Sequence, residues 1–148
     1  MRKQLITLSI FTLSLFSITS CEKDKDDTPQ KTKTELISQG SWKLQSATWN
    51  SLDALSFFDD CYDDNIITVN ANGTGSIDES TDVCAPSNAG PFTWSFQNNE
   101  TEIDISATLI PGGGSTFTLV TLNETTLVVS QDFTFGPSTA PAILTFIH

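Results

Sequence analysis

Apolar and polar residues alternate along most of the chain after residue 40, which is the pattern of β-strands with one buried face. The clearest case is the segment PFTWSFQ, in which Phe92, Trp94 and Phe96 share one face. The alternation predicts strands at residues 41–49, 65–71, 74–79, 91–97, 101–109, 115–122, 125–133 and 141–147.

Short turns connect these strands. Asn72-Gly73 is a strong hairpin signal, and turn residues also occur at Asn123-Glu124 and Gly136-Pro137. The up-and-down order predicts an all-β fold, an eight-stranded antiparallel barrel, because closure of the sheet removes its exposed edges. A β-sandwich is the alternative.

Two segments of the body do not follow the strand pattern. Residues 34–40 predict a short helix, with Thr34 as its N-cap and Gly40 at its C-terminal end. Residues 50–65 are acidic and irregular, and they predict a helical or looped lid between the first two strands.

The first twenty residues have the character of an export signal. Arg2 and Lys3 precede an apolar run from Leu5 to Ile18, which matches a signal-peptide core and is short for a stable membrane span. The following residues, ITSC at 18–21, resemble the bacterial lipobox. The resemblance implies that Cys21 is lipidated, with acyl chains such as palmitate, and becomes the new N-terminus. An ordinary secretory signal that is cleaved nearby is the alternative.

The residues after Cys21 predict a flexible, charged tether at 21–33, because residues 22–33 contain no apolar side chain that could join a core. Lys25-Asp26-Asp27 resembles the charged tag that sends some lipoproteins to the outer face of the outer membrane. We therefore expect a signal peptide at 1–20, a tether at 21–33 and one barrel domain at 34–148, anchored in the outer membrane at the cell surface. A lipoprotein that faces the periplasm is the alternative.

The two remaining cysteines, Cys61 and Cys84, predict a disulfide. An exported protein matures in an oxidising compartment, and the assignment of Cys21 to lipid leaves these two as a pair. A metal-binding or redox pair is the alternative, although the sequence has no Cys-x-x-Cys motif.

Charge excludes one class of function. The chain has 7 Lys and Arg against 18 Asp and Glu, for a net charge of -11, and after Lys33 its only Lys or Arg is Lys43. Such a body repels phosphate backbones, so we expect no nucleic-acid partner. No catalytic motif is present, so we expect neither an enzyme nor a cofactor. His148, the last residue, is expected to fray.

The acidic segment 50–65 contains one weak candidate for metal binding. Its aspartates predict a solvated surface, and calcium is the alternative ligand. The candidate ligands are Asp59, Asp60, Asp63 and Asp64.

The start of the body resembles a known family. Gly40-Ser41-Trp42 is similar to the Gly-x-Trp signature of lipocalins, in which the tryptophan packs across the closed end of the barrel. The lipocalin-like domain of bacterial lipoproteins is a closer match. The matching positions are Gly40 to Leu44, Cys61 with Asp64 and Asn65, Asn72-Gly73, Cys84, Trp94-Ser95, and Leu122 with Thr125 and Leu127. Ordinary lipocalins also have an arginine that stacks on the tryptophan, and this body contains none.

The apolar strand faces supply the candidate ligand-binding residues. We expect Phe57 and Phe58 to cap the interior and the following side chains to point inward: Phe92, Trp94, Phe96, Phe117, Leu119, Leu127, Val129 and Phe146. One hypothesis is a tethered module that binds a small apolar ligand in the barrel. The other is an interaction protein with a filled barrel, which acts through its acidic loop or rim and serves as accessory to an envelope complex. An empty interior favours the first hypothesis and a packed interior the second.

Overall fold

The computed structural model describes residues 29–57, 60–110 and 112–148. The predicted signal peptide, Cys21 and most of the predicted tether therefore lie outside the described residues. In the described part, the strands are β1 (Ser41–Trp49), β2 (Leu52–Asp53), β3 (Ile66–Val69), β4 (Thr74–Asp78), β5 (Gly90–Gln97), β6 (Glu102–Ile105), β7 (Thr116–Leu122), β8 (Thr126–Phe135) and β9 (Ser138–Ile147). One α-helix, α1 (Lys33–Ile37), precedes them, and two 3₁₀ turns occupy Leu55–Phe57 and Asp60–Tyr62.

The strands close into the predicted barrel. From β3 to β9 each strand pairs antiparallel with the next, β1 pairs with β3 on one side, and β1 also pairs with β9 on the other. The result is a closed antiparallel barrel of 8 strands plus one extra strand, β2, which extends the end of β1. The β1–β9 pairing closes the sheet on itself, so the β-sandwich alternative is wrong.

The predicted strands agree with the observed ones except at some boundaries. The largest difference is β6, which ends at Ile105, whereas alternation predicted a strand to residue 109. Ser106 still donates its backbone N–H to Thr93 at 2.9 Å, but beyond it the chain leaves the ladder. Leu109 and Ile110 are nevertheless buried, so they contribute to the core from an irregular loop.

The N-cap of the helix lies two residues before the predicted one, and the helix begins at Lys33. Thr32 is the cap: its side chain accepts from the backbone N–H of Glu35, and the Glu35 carboxylate accepts from the backbone N–H of Thr32. This is a capping box, so the assignment of Thr34 as the cap is wrong. The helix also ends earlier than Gly40, with Ser38 as its C-cap.

The predicted lid is mostly irregular, as expected, and lies along the end of β1. After Trp49 the chain reverses through Asn50 and Ser51, both at positive φ, and β2 then pairs back onto β1. Ala54 is buried and donates its N–H to the carbonyl of Ala47 at 2.9 Å.

The barrel has two different ends. We call the end that carries α1, the turns 70–73, 98–101 and 123–125, and His148 the closed end. The other end carries the loops 50–65, 79–89, 106–115 and 136–137, and we call it the mouth. Antiparallel register fixes this division, because β1 starts beside α1 at Ser41 and ends at the mouth with Trp49.

No helix in the described ranges is both long enough and apolar enough to span a membrane.

Candidate functional site

Trp42 closes one end of the barrel. Its side chain is 1% exposed, and its indole Nε1–H donates to the carbonyl of Ile37 at 2.8 Å. Because Ile37 is the last residue of α1, this bond fixes the helix over the opening. The tryptophan therefore has the position that the Gly-x-Trp resemblance implied.

His148 covers the outer side of Trp42. The two ring centroids are 3.8 Å apart with an interplanar angle of 32°, and His148 Nδ1 lies 2.8 Å from the carbonyl oxygen of Ser41. The expectation that His148 frays is therefore wrong. Gly40 lies directly beneath the imidazole, since a Cβ at this position would come within 2.9 Å of His148 Nδ1. In this body, which lacks arginine, the histidine stacks on the signature tryptophan.

Lysines tie the incoming chain to the turns of the closed end. Lys33 Nζ donates to the carbonyl of Glu100 at 2.6 Å, and Lys31 forms an ion pair with Glu124 at 2.9 Å. This contact lowers the pKa of Glu124. Both contacts are exposed, so they position the segment more than they stabilise the fold.

The barrel interior is filled. The remaining cavity is about 20 Å³, which is close to the room one water molecule needs and far below the several hundred Å³ of a typical ligand pocket. Its lining is entirely apolar: Ile37, Trp42, Ile67, Val69, Ile103, Ile105, Leu109, Phe117, Leu127, Val129 and Phe146.

The sequence-predicted ligand residues divide into three groups. Phe117, Leu127, Val129 and Phe146 line the cavity, whereas Phe92 and Trp94 are buried outside its lining and Phe96 and Leu119 pack half-buried against the core. Phe57 lies in a 3₁₀ turn at the mouth, and Phe58 is outside the described residues. The isoleucines that line the cavity from β3 and β6 carried the same alternation signal.

Phe92 and Trp94 belong to the wall between β4 and β5. The Phe92 ring lies directly on Gly75, which faces it across the ladder and leaves no room for a Cβ. Trp94 donates its indole N–H to the carbonyl of Asn70 at 2.9 Å and its backbone N–H to Gly73. These contacts fix the Asn72-Gly73 hairpin, in which Gly73 has a φ of 83°.

A disulfide joins the two loops that form one side of the mouth. Cys61 and Cys84 are bonded, with their Cα atoms 5.3 Å apart, which confirms the predicted pair. The bond connects loop 50–65 to loop 79–89. Two exposed apolar side chains, Leu52 at 63% and Val83 at 64%, lie on these same loops.

The aspartates of loop 50–65 have different surroundings. Asp64 Oδ2 accepts from the hydroxyl and backbone N–H of Thr81 and from the N–H of Asp82, which lowers the Asp64 pKa. Burial raises the pKa of Asp63, and the charges of Asp60 and Asp64 add to that shift. No three His, Cys, Asp or Glu residues of the described ranges converge as metal ligands, and Asp59 lies outside those ranges.

The mouth contains a layer of buried polar side chains that was not predicted from the sequence. Asn65 and Glu79 are each 4% exposed, although both are polar. The Glu79 carboxylate accepts from Ser87 Oγ at 2.5 Å and from the backbone N–H of Asn88 at 2.9 Å. The pKa of Glu79 is lowered, mainly by the hydrogen bond from the Ser87 hydroxyl. This buried carboxylate is therefore ionised at neutral pH. The alternation pattern could have predicted this, because Asn65 falls on the same strand face as the buried Ile67 and Val69.

Comparison with known proteins agrees with this architecture. No curated protein matches the sequence. The family model described as a lipocalin-like domain matches residues 39–129, more than half of the 148 residues. The match begins just before the Gly-x-Trp residues and extends into β8. Lipocalin-like barrels are generally binding folds rather than enzymes. The chain therefore belongs to the lipocalin-like domain family.

Proposed function

We propose that this chain is a lipid-anchored, non-enzymatic binding protein of the bacterial outer membrane, in which the barrel is a filled scaffold and recognition takes place at the mouth. The observation that carries this proposal is the interior cavity of about 20 Å³. A drug-sized ligand needs at least an order of magnitude more room.

The mouth has the properties of a recognition surface. Its loops expose Leu52 and Val83, and the disulfide holds these two loops together. The described acidic residues of the same loops are Asp53, Asp60, Asp63, Asp64, Glu79 and Asp82, whereas Lys31 and Lys33 contact residues of the closed end. Lys43 on β1 is close enough to Asp64 for its charge to help lower the Asp64 pKa. A partner at the mouth would therefore be basic, with an apolar contact.

The anchor rests on the sequence around Cys21. The first described residues, 29–32, lie at the closed end, where Lys31 contacts Glu124. A tether attached there would place the closed end toward the membrane and the mouth away from it.

A native mass spectrum tests the filled scaffold. The full chain is purified from a Gram-negative host in mild detergent and measured before and after exposure to fatty acids, sterols and haem. The proposal predicts one mass that corresponds to the lipidated polypeptide, without an adduct. An adduct that co-purifies and is lost on denaturation would contradict a filled interior.

A small apolar ligand inside the barrel is the second candidate function. One observation favours it: every residue that lines the cavity is apolar. Such a ligand must displace core side chains, and Leu109 is the side chain best placed to move because it comes from a loop and not from a strand. The same native spectrum distinguishes the two candidates, since only this one predicts an adduct.

Cell fractionation tests the anchor. Cys21→Ala should abolish incorporation of labelled palmitate and move the protein out of the membrane fraction, while Cys61→Ala should leave the labelling unchanged. Labelling that persists in the Cys21 variant would contradict lipidation at this residue. Protease added to intact cells then distinguishes display at the surface from a periplasm-facing anchor.

A further inference from the structure

Glu79 is a buried anion without a cationic partner in the described ranges. Its side chain is 4% exposed, and the ion pair found in the described part of the chain joins Lys31 to Glu124 at the opposite end. Buried carboxylates are rarely left without a counter-charge. A carboxylate has about four acceptor positions, and the bonds from Ser87 and from the backbone N–H groups of Asn88 and Cys84 leave about one of them open.

The strand register places Asn65 beside Glu79 on the inner face of the barrel. Ile66 pairs with Asp78, so one further step in the same register brings Asn65 opposite Glu79. Side chains that are opposite each other in this way have Cβ atoms about 5 Å apart. Asn65 shares the parity of Ile67 and Val69, which line the cavity, so it points inward just above them.

Asn88 completes the layer from the loop that leads into β5. Ile77 pairs with Gly90, and two further steps bring Asn88 opposite Glu79, in agreement with the bond from its N–H to the carboxylate. The Asn88 amide nitrogen donates to the carbonyl of Thr108 at 3.3 Å. The three residues therefore lie next to the mouth ends of β3, β4 and β5, and the loop after β6 contacts Asn88.

Two amide oxygens in this layer have no donor. The Oδ1 atoms of Asn65 and Asn88 are both buried and accept no hydrogen bond from the described residues. Asn65 is 4% exposed, so its oxygen is withdrawn from bulk solvent. Unsatisfied buried acceptors cost stability, and two of them beside an unpaired carboxylate indicate that something else donates here.

We infer that the layer formed by Asn65, Glu79 and Asn88 binds a primary ammonium group. Such a group carries three N–H donors, no acceptor and one positive charge. It therefore matches two amide oxygens and one carboxylate in number, in polarity and in charge. Water matches them less well, because it brings no positive charge to the Glu79 carboxylate.

The surroundings favour a cation at this place. The nearby acidic residues on the mouth loops, Asp63, Asp64 and Asp82, add negative potential, and the described mouth loops contain no lysine, arginine or histidine. Lys43 on the neighbouring strand β1 offsets only part of this potential, through its interaction with Asp64. This field attracts cations toward the layer. The inference rests on the part of the proposed function that places recognition at the mouth, and it names the group that is recognised.

Titration of the full chain with n-butylammonium chloride tests the inference. The control is n-butyltrimethylammonium chloride at the same ionic strength, which has the same charge but no N–H donor. We expect butylammonium to raise the melting temperature in a saturable way and the trimethyl analogue to have no saturable effect. Equal effects of the two salts would overturn the inference, because they would show charge attraction without the three donors.

Matched variants assign the binding to the layer. Asn65→Leu keeps the side-chain volume and removes the acceptor, and it should weaken butylammonium binding by about tenfold or more. Gln45→Leu, on the exposed outer side of β1, should leave the affinity within about twofold. Affinity that Asn65→Leu does not change, or micromolar calcium binding that this variant abolishes, would overturn the inference.

A second probe identifies the source of the ammonium. Nα-acetyl-lysine methylamide represents a lysine side chain of a protein partner, and butylammonium represents a free amine. Tighter binding of the lysine derivative indicates a protein source, and equal or weaker binding a small amine. The native mass spectrum separately tests the filled scaffold: a barrel adduct would contradict that part of the proposed function, whereas a failed titration with a clean spectrum would contradict the ammonium site alone.

Discussion

The two ends of the barrel are stabilised in different ways. At the closed end, Trp42 is covered by α1 from one side and by His148 from the other, and its polar atom is paired. At the mouth, a disulfide joins two irregular loops, and the layer beneath them keeps amide oxygens without donors. In the described residues, the indole N–H of Trp42 at the closed end has a hydrogen-bond partner within the fold, whereas buried acceptors at the mouth have none.

This difference is the basis for the proposal that recognition takes place at the mouth. A structural cap should be apolar and fully paired, since each unsatisfied buried group costs stability. A recognition surface instead retains acceptors and charge that only the partner satisfies. Variants at the two ends should therefore differ: those at the closed end should change stability, and those at the polar layer should change binding.

Removal of Trp42 should have the largest effect. Trp42→Ala should lower the free energy of unfolding by about 4 kcal/mol, because a fully buried indole leaves a cavity between α1 and the barrel. The matched control is Trp49→Ala at the mouth, where the half-buried indole should account for about 2 kcal/mol or less. Urea unfolding of the full chain measures both values. An equal loss in the two variants would contradict the difference between the ends.

Loss of the disulfide should have the next largest effect. The double variant Cys61→Ala/Cys84→Ala should be less stable by about 3 kcal/mol, because the bond closes a loop with a sequence separation of 23. Hydrogen exchange should show faster opening in loops 50–65 and 79–89 than around α1. Uniform acceleration over the whole body would show that the bond does not act on the mouth alone.

Removal of the His148 ring should have a smaller effect at the closed end. His148→Ala should cost about 1 kcal/mol, the usual contribution of a stacked ring pair. The loss should be much smaller when Trp42 is also replaced, since the stacking partner is then absent. A double-mutant cycle by urea unfolding measures this coupling. Strictly additive effects of the two substitutions would show that the stacking contributes nothing.

Replacement of Glu79 should have the smallest effect on stability near neutral pH, and its role should become visible in acid. Its pKa is lowered in the fold from the ordinary value of 4.5, mainly by the Ser87 hydroxyl. A lowered carboxyl pKa contributes stability above the unfolded value and loses it as the pH falls through the folded one. Glu79→Gln should therefore flatten the fall in stability below about pH 4.5. Asp132→Asn, at an exposed position of β8, is the control. An unchanged acid limb would contradict the assignment.

The sequence predicted the barrel because alternation is a strong signal when each strand buries one face. Strand β1 was predicted at its observed bounds, Ser41–Trp49. The helix start was predicted incorrectly although the sequence contains a local signal for it. Thr32 and Glu35 form a Thr-x-x-Glu capping box, which predicts the correct start. The β-bulge between Leu119 and Thr121 has no comparable local signal.

The polar layer is harder to predict than the barrel. Asn65 and Glu79 look like ordinary strand ends in the sequence, and their meeting depends on the register between two strands. Whether the interior is empty also depends on how side chains from many strands interlock, which alternation does not specify. The acidic loop stood out in the sequence as a candidate metal site. At least one of its aspartates instead accepts backbone hydrogen bonds from a neighbouring loop, as Asp64 does from Thr81.

Methyl NMR during titration tests the central claim most directly, namely that the interior is filled and recognition is at the mouth. Butylammonium should shift the methyl resonances of Leu44, which the β1–β3 register places beside Asn65, and leave those of Ile103 and Val129 in the interior unchanged. Laurate should shift none of the three. Shifts of Ile103 and Val129 with laurate, and none of Leu44 with butylammonium, would show instead that the barrel binds an apolar ligand in its interior.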